Sequence, residues 1–123
     1  MTQVFIIDGR LDGLNEYTKA NRTNLYKGAQ MKAQNEKYVM FYIKKAKLKK
    51  VEKYPLKIVI NWYEKNMRRD IDNITFSTKF ILDSLVKMEI IEDDSQKYIN
   101  EIEHYIHVDK NQPRIEVTLI ERG

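Results

Sequence analysis

The sequence predicts an α+β fold: one domain over residues 1–123, with a mixed β-sheet packed by two main helices. Three observations lead there. Apolar residues alternate along Leu56–Trp62 and again along Ile115–Leu119, the period of half-buried strands. Two longer stretches, from about Ala29 to Lys50 and from about Asp72 to Met88, favour helix by composition and spacing. The elements follow one another as strand, helix, strand, helix, strand, strand, without a repeat or linker, as an α+β domain with a mixed sheet requires.

Val4-Phe5-Ile6-Ile7 is a short apolar run of strand type. Asp8-Gly9 and Asp12-Gly13 then mark turns. From Leu11 to Lys27 the chain is polar and reads as a loop with one short helical turn. The first helix carries Ala29, Ala33, Met40, Ile43 and Ala46 along roughly one face. Pro55 closes that region. Leu56, Ile58, Ile60 and Trp62 then alternate with Lys57, Val59 and Asn61 as a strand. In the second helix Ile74, Ile81, Leu85 and Met88 form an apolar face, opposite one that holds Asp72, Lys79 and Asp83, with Thr75 at its edge. Tyr98–Val108 is strand-like, Asn111-Gln112-Pro113 is a turn, and Ile115, Val117 and Leu119 mark the last strand.

Composition narrows the function. The chain has no cysteine, which excludes disulfides and thiolate metal sites. No apolar run approaches the ~18–20 residues of a membrane span. The N-terminus lacks the pattern of a secretory leader, so the expectation is a cytoplasmic protein. Net charge is +4, too modest to identify a partner. Its distribution says more. Lys44, Lys45, Lys47, Lys49, Lys50 and Lys53 face only Glu52 in their stretch, a run suited to phosphates and equally to a solvated helix end.

The acidic residues carry the chemistry. Arg68-Arg69-Asp70-Ile71-Asp72-Asn73 opens the second helix, and Glu92-Asp93-Asp94-Ser95-Gln96 follows it. Hard divalent cations take oxygen ligands, usually one or two carboxylates with water and substrate phosphate. Arginines beside the first pair point to a phosphate substrate. Each residue alone has a plainer explanation. Asp70 or Asp72 would serve as a helix cap worth ~1 kcal/mol. Lys79 and Asp83 would form an ordinary surface pair, and Asp93-Asp94 a turn. Together they favour a metal-dependent nuclease. The helix between the acidic pairs is about 24 Å long at 1.5 Å per residue. Asp93-Asp94 therefore meets Asp70 and Asp72 only if the chain returns along that length, or else meets the first pair of another subunit. His104 and His107, three apart in a strand, point to opposite faces and are expected at the surface or in packing.

With these motifs in hand, the sequence resembles the RusA family of Holliday-junction resolvases, crossover junction endodeoxyribonucleases common in prophages. The resemblance rests on Arg68–Asn73, on Lys79 followed by Asp83-Ser84-Leu85, and on Glu92–Gln96. One departure is a spacing from Asp72 to Lys79 longer than the family's by nearly one helical turn. The resemblance implies a RusA-like α+β homodimer that cuts four-way DNA junctions by paired symmetric nicks in recombination and repair. Its metal ligands fall on Asp70, Asp72 and Asp94, and its catalytic lysine on Lys79. The cofactor implied is Mg²⁺, with Mn²⁺ as the alternative, and Asp93 ranks behind Asp94. Arg68 and Arg69 are expected at the DNA backbone near the site, with Lys19, Arg22, Lys44, Lys45 and Lys47 farther out. Two rival readings are a non-catalytic DNA-binding module, and a metal-dependent nuclease of other specificity such as for RNA or flaps.

Overall fold

The structure is a computed structural model and describes residues 1–122. Its elements are β1 (Thr2–Asp8), α1 (Leu14–Thr23), α2 (Leu25–Ala46), β2 (Leu56–Glu64), α3 (Ile71–Thr75), α4 (Thr78–Lys87), β3 (Ile99–Val108) and β4 (Arg114–Glu121). The four strands form one mixed sheet in the order β1-β4-β2-β3. β4 runs antiparallel to both neighbours, whereas β2 and β3 are parallel. Parallel neighbours cannot be joined by a tight turn, and here α3 and α4 make the crossover. β2 and β3 pair from Leu56↔Ile99 to Glu64↔Val108.

One face of the sheet carries the core. Alternation along β2 sends Leu56, Ile58, Ile60 and Trp62 inward, where they meet Ile115, Val117 and Leu119 of β4 and Phe5 and Ile7 of β1. Helices α2 and α4 pack on this face through Val39, Ile43, Phe80, Ile81 and Leu85. The other face is half-exposed and ionic. There Lys57 reaches Glu103 at 2.5 Å, and Arg114 lies 3.8 Å from the ring centre of Tyr63.

Three sequence expectations are corrected. The Leu11–Lys27 stretch is not mainly loop: it holds the ten-residue α1 and the start of α2. None of the residues of α1 is fully buried, so its sequence lacks an apolar stripe. On α2 the inward face is Gly28, Asn35, Glu36, Val39 and Ile43, while Ala29, Ala33 and Ala46 are exposed. The stripe was hidden because two of its members are polar. Asn35 anchors the preceding loop through Asp12, and Glu36 takes charge-assisted contacts from Lys87 and Lys32. Finally, the stretch 72–88 is two helices rather than one. The break falls at Phe76–Ser77, where the Ser77 amide bonds back to Ile74 three residues away and its Oγ donates to the same carbonyl. Ile74, Ile81 and Leu85 are nevertheless buried, as the apolar face predicts, and Met88 packs against the core.

The two histidines do lie on opposite faces. His107 stacks on Tyr63 with centroids 4.6 Å apart and contacts Asn61 at 2.8 Å. On the core side, the Trp62 indole donates to Nδ1 of His104 at 3.0 Å, which requires a neutral imidazole. Partial desolvation beside Trp62 also lowers the pKa of His104. The unfolded chain then takes up this proton at a higher pH than the folded one. Folding stability is complete above the ordinary histidine value of ~6.5 and falls as pH drops below it. Thermal melts at pH 7.5 and 5.5 should show this loss in the wild type and a smaller loss in His104→Phe. Equal losses would remove His104 from the pH dependence.

Candidate active site

Asp70 and Asp72 stand where β2 ends, at the carboxyl ends of the parallel pair β2–β3. Open α/β sheets commonly bind ligands outside this edge. A cleft of about 730 Å³ opens there, lined by Glu64, Asp70, Asp72 and Ile74 on one side and Ile106 and Val108 on the other. Asp70 occupies the N-cap position of α3, yet its side chain makes no cap hydrogen bond. Asp72 lies in the first turn of α3. Both carboxylates are exposed. The capping explanation for Asp70 is thereby removed, and two oxygen donors are left facing the cleft mouth.

Buried neighbours fix the motif between them. The Arg69 guanidinium grips Glu64 through two bonds of 2.8 and 2.7 Å and donates to the Leu11 carbonyl at 3.2 Å. Its side chain is only 11% exposed. Arg69 thus ties the end of β2 to the loop before α1, and its fork is occupied. Arg68 is exposed and its side chain is open to solvent. Asn73 is 6% exposed, and its Oδ1 accepts the Asn15 amide at 2.9 Å. The N-cap of α1 is Gly13, which has no side-chain acceptor of its own. Asn73 supplies it from the acidic motif, 58 positions along the chain. The fit is close: a Cβ on Gly13 would sit 2.5 Å from the Asn73 backbone oxygen.

Lys79 lies in the first turn of α4, beyond the break, so it does not share a continuous helical face with Asp72. Its Nζ is 4.0 Å from Asp83, and its side chain is 55% exposed. Asp83 also takes Lys32 of α2 at 3.4 Å. On α1, Lys19 and Arg22 are exposed, and a shallow depression lies between them, Asn15 and Thr18.

Asp93 and Asp94 are exposed at the other end of the sheet. Their loop is pinned to the Leu56 end by Val51 to Ile90 (2.8 Å), Glu92 to the Tyr54 hydroxyl (2.9 Å) and Leu56 to Tyr98 (2.7 Å). The paired length of β2 and β3 separates this loop from Asp70 and Asp72, about 26 Å at ~3.3 Å per residue. Accordingly, no group of three or more His, Cys, Asp or Glu residues poised for a metal occurs among the described residues. One subunit brings Asp70 and Asp72 together but not Asp94. Lys44, Lys45 and Lys47, all exposed, end α2 on the Asp94 side, where Lys49 bonds Gln3 at the start of β1.

Sequence reasoning missed Glu64, Asn73 and Glu36 as structural residues. Glu64 carried a usable signal. It continues the inward alternation of Leu56–Trp62, and an acid at such a position demands a partner.

The two arginines make separable predictions. Breaking a buried pair from one side costs about 3 kcal/mol, so Arg69→Ala should lower the melting temperature sharply. Arg68→Ala should leave melting unchanged and weaken DNA binding. Calorimetry and a binding titration on both variants check this, and equal melting temperatures would reassign Arg69 to the surface.

No membrane-spanning helix, long and apolar enough, occurs among the described residues. None of the curated proteins compared with the chain matches it. The family model described as Endodeoxyribonuclease RusA matches residues 14–120, from the start of α1 through β4. The match takes in three of the four strands, both main helices and the two acidic segments, leaving β1 outside it, and it brings the family's crossover-junction resolvase activity. This chain belongs to the RusA family of endodeoxyribonucleases.

Proposed function

We propose that the protein works as a homodimer that hydrolyses phosphodiester bonds in four-way DNA junctions. In this reading Asp70 and Asp72 of one subunit and Asp94 of the other hold Mg²⁺, or alternatively Mn²⁺. One observation carries the proposal. The two acidic segments of a RusA-family chain are exposed and lie at opposite ends of a single sheet. A second copy reconciles that separation with a three-carboxylate site. The donor set suits a hard cation, being all oxygen.

Such an ion, when bound, supplies an activated water and stabilises the leaving oxygen. The chain's own residues do the rest. Asp70 and Asp72 present their oxygens without moving, because Arg69 and Asn73 fix the backbone on either side of them. Lys79 offsets negative charge gathering on the scissile phosphate, with Asp83 steadying its ammonium. Arg68 holds the adjoining backbone. Lys19 and Arg22 on α1, and the lysines ending α2, contact outer phosphates and contribute affinity without reading sequence. A twofold axis creates two equal sites, as paired symmetric nicks demand.

Cleavage of a labelled four-way junction with and without Mg²⁺, beside linear duplex, tests this directly. Wild type should cut the junction only with metal, and Asp72→Asn should bind the junction without cutting it. Equal cutting of linear duplex would take the junction out of the description. A mixing experiment addresses the shared site. Asp72→Asn and Asp94→Asn should each be inactive. Mixed and allowed to exchange subunits, they should regain nicking, because each heterodimer holds one site with every carboxylate intact. Sites complete within one subunit would give no recovery.

A further inference from the structure

We propose that the free edge of β1 is a docking groove for an extended acidic segment of another protein, taken up as a fifth strand of the sheet. β1 begins the sheet order and hydrogen-bonds to β4 alone. β4 and β2 stand between it and β3, so this edge lies away from the cleft that holds Asp70 and Asp72.

The register shows which backbone groups are open. The Glu121 amide donates to the Met1 carbonyl, and the Gly9 amide to the Pro113 carbonyl. In an antiparallel ladder such bonded residues alternate with residues turned the other way. Gln3, Phe5 and Ile7 therefore bond β4, and the N–H and C=O groups of Val4 and Ile6 point to the open side. Both ends of this edge are closed. The Tyr38 hydroxyl donates to the Asp8 carbonyl at 2.6 Å, and the Gln3 side chain exchanges two bonds with the Lys49 backbone at 2.9 and 2.7 Å. The length between them lacks the devices that blunt a strand edge. Thr2–Asp8 holds no lysine or proline and pairs in continuous register, and Val4 and Ile6 are 52% and 45% exposed.

A groove of about 620 Å³ follows this edge, with Val4, Phe5 and Ile6 on one wall and Tyr42, Lys45 and Ala46 of α2 on the other. An exposed strand edge accepts an extended peptide through main-chain bonds, and pockets for its side chains give specificity. Charge is graded along the groove. Asp8 stands at the Tyr42 end, whereas Lys49 stands at Gln3, with Lys44, Lys45, Lys47 and Lys50 exposed around it. The matching segment is apolar where it crosses Val4 and Ile6 and acidic where it reaches the lysines. Added antiparallel, the stabler pairing, it runs apolar residues first and acids last. A nucleic-acid strand fits less well. Its phosphate backbone offers no N–H to the Val4 and Ile6 carbonyls, and Asp8 repels it.

The probe is a fluorescein-labelled peptide, Val-Thr-Val-Ile-Asp-Asp-Glu, titrated against the full chain by anisotropy. It should bind saturably, and a neutral counterpart ending Asn-Asn-Gln should bind at least about tenfold more weakly. Val4→Pro removes an edge N–H that β4 does not use, a change an edge strand tolerates. This variant should keep the wild-type melting temperature and junction cleavage yet bind the peptide at least about tenfold more weakly. Lys45→Glu should weaken the peptide as well. Hydrogen exchange on the wild type needs no substitution: the Val4 and Ile6 amides should slow when the peptide is added. Absence of saturable binding, unchanged exchange at both amides, or equal affinity in wild type and Val4→Pro would overturn the groove. Equal affinity for the neutral peptide would overturn the acidic partner. Self-association of the wild type that Val4→Pro abolishes would overturn the proposal in favour of a second copy of this chain at the same edge.

Discussion

The parallel pairing of β2 and β3 is the constraint on which the rest depends. Two parallel neighbours oblige the chain to leave one end of the sheet and return to the other. The crossover therefore begins at Asp70–Asn73 and ends at Glu92–Gln96, with the sheet's length between them. The topology leaves the two acidic segments at opposite ends of the sheet. Exposed carboxylates keep their solvation, so each segment is tolerated at the surface.

Around Asp70 and Asp72, rigidity comes from buried polar bonds rather than from apolar packing alone. Arg69 ties β2 to the loop before α1, Asn73 caps α1, and Gly13 permits the close approach that the cap requires. Each bond joins segments far apart in the chain. The exposed acids Asp70 and Asp72 are thus flanked by two inward-turned residues, Arg69 before them and Asn73 after them. The RRDIDN segment consequently has two jobs by alternate residues: Arg68, Asp70 and Asp72 face solvent, while Arg69 and Asn73 hold the fold.

Much of this was legible in the sequence where periodicity and burial agree. β2 and β4 alternate cleanly because one face of the sheet is dry and the other wet, and α4 shows its apolar face for the same reason. The resemblance carried by Asp70, Asp72, Lys79 and Asp94 located the family. What escaped notice depended on partners remote in sequence. Helix α1 has no buried stripe and a glycine at its N-cap, with only Glu16 reaching back to the Gly13 amide, and its remaining cap acceptor, Asn73, lies 58 positions away. Glu36 and Asn35 masked the inner face of α2, because their partners Lys87 and Asp12 lie on other segments. The break at Phe76–Ser77 escaped because neither residue is a helix breaker. Local hydrogen bonding to Ile74, not composition, interrupts the helix there.

That break has a mechanical consequence. It divides the crossover into two short rods, one bearing Asp72 and the other Lys79. Tyr17 of α1 rests against Phe76 at 5.3 Å and Phe80 at 6.2 Å, one aromatic on each side of the joint. The helix that presents Lys19 and Arg22 thus doubles as a splint across the joint. The angle between the rods, and with it the spacing of Asp72 from Lys79, is braced from outside the crossover.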